Sequence, residues 1–120
     1  MMENKDIKII TSPISRADLA VFAHEGYGDV IKAVVDIRQG IMAVGGELHA
    51  DEEVLLSEER GSARADTWGI NLYPAELGDG FIEFDSMVNI KPAFGNRSRA
   101  VENTVIQKTI REIVGKLVTS

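Results

Sequence analysis

Cysteine is absent from the 120 residues, which excludes a disulfide framework, thiolate metal sites and a cysteine nucleophile. No apolar run approaches the roughly 18 residues needed to span a bilayer, and the opening MMENKDIKII lacks the pattern of a signal peptide. The expectation is therefore a cytoplasmic protein with no membrane contact. Only two histidines occur, and HExxH, the P-loop and the calcium-loop spacings are all missing. Basic charge is short as well: residues 1–90 hold 7 Lys and Arg against 17 Asp and Glu, whereas residues 91–120 hold 6 against 2. A front of net −10 and a rear of +4 make nucleic acid an unlikely partner, because such partners call for a basic footprint. They leave room for a local anion site in the last third, or for copies whose acidic and basic ends meet.

What is present reads as one α+β domain, long enough to bury a core without staples. Ile31, Ala33, Val35 and Ile37 alternate with Lys32, Val34 and Asp36; Met42, Val44 and Leu48 alternate with Ala43, Glu47 and His49. This is the period of two half-buried strands. A two-residue turn at Gln39 and Gly40 sets Ile37 opposite Met42, Val35 opposite Val44 and Lys32 opposite Glu47, with the apolar residues on one side. A three-residue loop would put Asp36 opposite Met42 and invert the faces. Gly45 and Gly46 weaken a strand interior, so a bulge, a helix or a ligand should lie against that bare backbone.

Residues 5–11 suit a short edge strand. Ser15 followed by Asp18 resembles a capping box, with Ile14 and Leu19 as its hydrophobic staple and Gly26 as the stop. A second helix should be capped by Asp51, carry Glu52 and Glu53 in its first turn and end at Gly61. Trp68, Ile70 and Leu72 mark a third strand. Ile82, Phe84, Val88 and Ile90 mark a fourth and longest one, registered with Leu72 opposite Ile82 and Asn71 opposite Glu83. Asn103 should cap a final helix to about Val118, with Val105, Ile106, Thr109, Ile110, Ile113, Val114 and Leu117 as its apolar stripe.

The expected architecture is one antiparallel sheet of four main strands, with room for an extra N-terminal edge strand and all helices on one face, in the order (β)-α-β-β-α-β-β-α. The opposite face would then collect Lys32, Asp36, Glu47, His49, Asn71, Tyr73, Glu83, Asp85, Asn89 and Lys91. Glu47, His49, Asp51, Glu83 and Asp85 are candidate ligands for magnesium or manganese, with zinc less favoured, and a metal held there could activate water. Asn96, Arg97 and Arg99 of GNRSR form a candidate anion site. Ser86 is not read as a nucleophile, since it falls on the inward face with no histidine placed beside it by sequence.

The stretches GGELHADEE, WGINLYP, IEFDSMVNI and GNRSR together resemble a small prokaryotic family known as domain of unknown function 5674. The resemblance covers nearly the whole chain and implies a complete one-domain protein. It brings no activity, substrate or cofactor, so no role passes to any residue. The leading expectation is a module that binds itself or another protein. A metal-assisted hydrolase or phosphoesterase acting on an anionic substrate is the alternative, and a compact toxin-like ribonuclease is disfavoured by the acidic balance.

Overall fold

The computed structural model describes residues 7–25 and 29–120, so the expected helix stop at Gly26 and the first residues of the expected edge strand lie outside the described residues. The chain runs through β1 (Lys8–Ile10), β2 (Ile14–Ser15), α1 (Arg16–Ala20), β3 (Ile31–Asp36), β4 (Ile41–Val44), α2 (His49–Arg60), β5 (Thr67–Leu72), β6 (Ile82–Glu83), α3 (Thr104–Leu117) and β7 (Val118–Thr119). Five strands form an antiparallel sheet in the order β1-β4-β3-β5-β6, while β2 and β7 pair in parallel. The sheet is thus one strand larger than the four main ones expected, with β1 at its edge.

Helix starts follow local chemistry. The Ser15 hydroxyl accepts from the Asp18 N–H at 3.0 Å, and α1 passes into a 3-10 turn over Val21–Glu25. The Asn103 side chain accepts from the N–H groups of Val105 and Ile106, which starts α3 where the capping residue predicts. Ile110, Val114 and Leu117 of α3 are buried against the sheet together with Leu19 and Ala23. Each large apolar side chain removed from water here contributes about 1.5–3 kcal/mol.

The hairpin corrects the expected register by two residues. Asp36 pairs with Ile41 and Val35 with Met42, so residues 37–40 form the loop. The Asp36 carboxylate causes this: it accepts from the N–H groups of Arg38 and Gln39, and from Gln39 Nε2 and the Ser62 hydroxyl. An aspartate that caps its own turn ends the strand at itself. A slip of two residues keeps every side chain on its face, so the apolar assignment survives.

The expectation that all helices share one face fails. Ile31, Ala33, Val35, Met42, Val44, Trp68, Ile70 and Leu72 meet α1 and α3 on one side; Val34, Ile41 and Ala43 meet Leu56 of α2 on the other. Val34 and Ala43 stand side by side in the ladder and make the middle of the second face apolar, which needs a cover of its own. Consequently Asp36, Asn89 and Lys91, expected on an open polar face, are buried. Thr67 donates to Glu53 at 2.6 Å, and the Lys91 ammonium donates to the carbonyls of Arg64 and Thr67 while lying 4.4 Å from the centre of the Trp68 ring. Burial pushes the Lys91 pKa down to about 8.

The long fourth strand is also corrected. The register holds where β6 exists, with Asn71 opposite Glu83 and Leu72 opposite Ile82. Beyond it the chain leaves the sheet edge for a 3-10 turn at Met87–Asn89, capped by the Ser86 hydroxyl. Gly69 is what admits the crossing: a Cβ there would stand 2.5 Å from the Ser86 side chain and 2.9 Å from Val88 Cγ2. The Asn89 side chain supplies the missing ladder bonds, its Oδ1 accepting from the Gly69 N–H at 2.8 Å and its Nδ2 donating to the Gly69 carbonyl at 2.9 Å. A third bond runs from Nδ2 to the Arg99 carbonyl at 2.9 Å.

Replacing Asn89 by alanine leaves buried peptide groups unpaired. The N89A variant should lose about 2–4 kcal/mol in urea unfolding, with the Gly69 amide proton becoming the first in β5 to exchange with deuterium.

Candidate ligand cleft

The first wall of the cleft is the start of α2. β4 stops at Val44, so Glu47 and His49 do not project from a strand as expected; Leu48 is the helix N-cap and His49 its first residue, which places Asp51 inside the first turn instead of at the cap. The expected close approach to the glycine pair does occur. The Gly46 N–H donates to Glu52 Oε2 at 2.9 Å, and a Cβ on Gly46 would lie 3.0 Å from Glu52 Cγ. Glu52 is fully buried, and its other oxygen, Oε1, has no partner among the described residues. Burial therefore pushes its carboxyl well above the usual range. This side chain reaches back from the helix and holds the incoming chain, which aims Leu48 and His49 over the end of the sheet.

His49 is set by one bond: Nε2 lies 2.8 Å from the Ile70 carbonyl oxygen. A carbonyl only accepts, so Nε2 carries the hydrogen and Nδ1 of the neutral ring keeps a lone pair. Burial lowers the imidazole pKa below its ordinary value, and the positive charge of Lys32 adds to this, partly offset by the Ile70 bond and by Asp85.

The second wall is the segment that Asn89 holds across Gly69. Arg99 Nε donates to Asp85 Oδ1 at 2.6 Å, and the Ser86 N–H donates to the Arg99 carbonyl at 3.0 Å. Asn71 Nδ2 joins this wall to the sheet through Glu83 Oε1 at 2.9 Å and the Asp85 carbonyl at 3.2 Å. Between the walls lies a cleft of about 220 Å³, lined by Lys32, His49, Asn71, Asp85, Arg99 and the side chains of Leu48, Met87 and Val88. Leu48 and Met87, 55% and 64% exposed, give the cleft two apolar rims.

Of the residues singled out in the sequence, His49, Asp85 and Arg99 come together here. The carboxylate of Glu83 is taken by Asn71 and by the Tyr73 hydroxyl at 2.9 Å, an interaction that raises the Tyr73 pKa. Glu47 is exposed in the bend before α2. Among the described residues no three His, Asp or Glu side chains gather closely enough to hold a metal ion. The GNRSR candidates also separate. Asn96 is buried, donating to the carbonyls of Asn89, Ser98 and Ala100 and accepting from the Glu102 N–H, and so ties its own loop. Arg97 stands on the surface, its backbone N–H bonded to Glu102. Lys32 and Asn71 pair across β3 and β5, a juxtaposition readable from the strand alternation; nothing in the local pattern marked Leu48 or Met87 as rims.

Fold and cleft together define a small α+β domain with helices on both faces of its sheet and a ligand-sized cleft at the sheet's end. Residues 8–117 match the family model described as Protein of unknown function (DUF5674), and the chain belongs to that family. Neither the curated proteins nor the solved structures contain a match. No helix among the described residues is long and apolar enough to cross a membrane.

The His49 environment has a measurable consequence. Its pKa is lower folded than unfolded, so the unfolded chain binds the extra proton and stability falls as pH drops below about 6.5, the ordinary histidine value, until the folded-state value is passed. An NMR titration of the His49 ring should show its midpoint below 6.5; a midpoint at that value would mean that the ring is solvated, and one above it that Asp85 and the Ile70 carbonyl outweigh burial.

Proposed function

We propose that the protein is a binding module whose cleft takes a small organic anion. The observation that carries this reading is the meeting of two cations, Lys32 and Arg99, with a histidine kept neutral by burial, between exposed apolar rims. The Arg99–Asp85 pair is about half exposed, at 55% and 43%, and solvent screening makes such a pair weak. Asp85 holds the guanidinium through Nε, so a ligand carboxylate can bind the two terminal nitrogens without displacing it. The charged groups select the anion, while Leu48 and Met87 favour one with an apolar body over a bare inorganic ion. A metal-assisted hydrolase lacks its cluster of ligands among the described residues, and a net charge of −6 counts against a ribonuclease.

A second reading, self-association, is favoured by β1. It is the terminal strand of the sheet among the described residues, and a groove of about 460 Å³ runs beside it, bordered by Phe22 and the 59% exposed Val21. An open edge offers unpaired peptide groups to a second copy. Sedimentation across protein concentrations would then give a rising mass; a constant monomer mass removes this reading.

The anion reading is tested by titrating isovalerate into labelled protein and following Met87 methyl and Arg99 side-chain NMR signals. Saturable shifts are expected, weakened roughly tenfold in R99Q, as suits the loss of a charge-assisted bond. Flat signals at concentrations up to roughly 50 mM would eliminate it, since that limit exceeds the Kd expected for even a weak ligand of this size.

A further inference from the structure

Resting on the anion reading, a narrower one concerns the ligand's chemical class. We propose that the cleft is built for a short-chain hydroxycarboxylic acid, its carboxylate received by Arg99 and Lys32 and its hydroxyl donated to Nδ1 of His49.

The Ile70 carbonyl fixes the hydrogen on Nε2, so the second ring nitrogen serves as an acceptor and calls for a donor on the ligand. That donor has to be neutral. Lys32, Arg99 and Asp85 together give the side chains lining the cleft one positive charge in excess, which the ligand's carboxylate balances; an ammonium group would restore that excess, whereas a hydroxyl adds none. The guanidinium meets Asp85 through Nε, so both terminal nitrogens remain to receive a carboxylate as a fork. Size sets the scale of the molecule: about 220 Å³ equals roughly seven water volumes at about 30 Å³ each, less than a drug-sized ligand fills. Leu48 and Met87 then cover a short branched or straight aliphatic end.

Four probes separate the components: 2-hydroxyisovalerate as each enantiomer, isovalerate without the hydroxyl, isobutanol without the charge, and inorganic phosphate without the apolar body. One enantiomer of the hydroxy acid should bind at least about threefold more tightly than isovalerate, the gain of one ordinary hydrogen bond. The His49 Nδ1 ¹⁵N resonance should move with the hydroxy acid and stay still with isovalerate. In H49Q, whose amide can still donate to the Ile70 carbonyl, the two acids should bind alike.

Equal binding of the two acids to the native chain, an unmoved Nδ1 resonance, or a preference that persists in H49Q overturns the hydroxy-acid assignment while the anion reading stands. Phosphate binding more tightly than either acid overturns it in favour of an inorganic anion. Isobutanol binding as tightly as isovalerate, or no binding by any probe, removes the anion reading and this inference with it. The Nδ1 resonance is read on the native chain, so the test survives a failure of H49Q to fold.

Discussion

The pairing of one carboxamide with one peptide unit governs how this molecule is put together. Asn89 presents to Gly69 the donor and acceptor that a neighbouring strand would otherwise present, and it does so from a chain running off the sheet. Buried peptide groups left unpaired are costly, so an edge that loses its neighbouring strand needs a substitute. Here one side chain supplies it, and Gly69 leaves space for Ser86 and Val88 above the sheet. The chain from Asp85 to Arg99 is thereby released from sheet geometry and bent across the end of β5. Asn96 then closes the loop from within, and the same turn that completes the sheet edge raises one wall of the cleft.

The second sheet face joins packing to chemistry. Its centre is apolar and lies beneath α2, while polar side chains are confined to its ends. At one end the buried Asp36, Ser62, Thr67 and Lys91 are satisfied by one another, by Gln39 and Glu53 at the rim, or by nearby carbonyls, which makes that end a seal. At the other end the first turn of α2 and the segment after Asp85 stand apart, and Lys32, His49 and Asn71 are left with room beside them. One face thus provides both a closed joint and an open cleft, according to how closely the neighbouring segments pack over its two ends.

How much of this could be read from the residues depends on the range of the interaction. Ser15, Asn103 and the alternation of Trp68, Ile70 and Leu72 act within a turn or a strand, and they placed two helix starts and β5. The Asn71 and Glu83 register was equally local to its hairpin. The hairpin faces were legible, but its loop length was not, because a carboxylate that caps a turn leaves the two-residue period unchanged. The side taken by α2 turns on Val34 and Ala43, which read as ordinary outward positions until the ladder sets them side by side. For the site, His49, Asp85 and Arg99 were visible as chemistry, yet their grouping without Glu47, Asp51 and Glu83 depends on where β4 and β6 stop. Alternation through Phe84, Val88 and Ile90 suggests a continuous strand, and no local pattern reveals that an asparagine amide will take its place.

The parallel contact of β2 with β7 bears on how the molecule assembles. Ile14 and Thr119 are 105 positions apart in the chain, and the strands they belong to flank α1 and α3, whose apolar sides share one core. Closing so long a span costs entropy before it returns any contact energy, so this join belongs late in folding. During synthesis on the ribosome, the layer formed by the first and last helices stays unlatched until residues 118–119 have been added. Until then Leu19 and Ala23 have only part of their shelter.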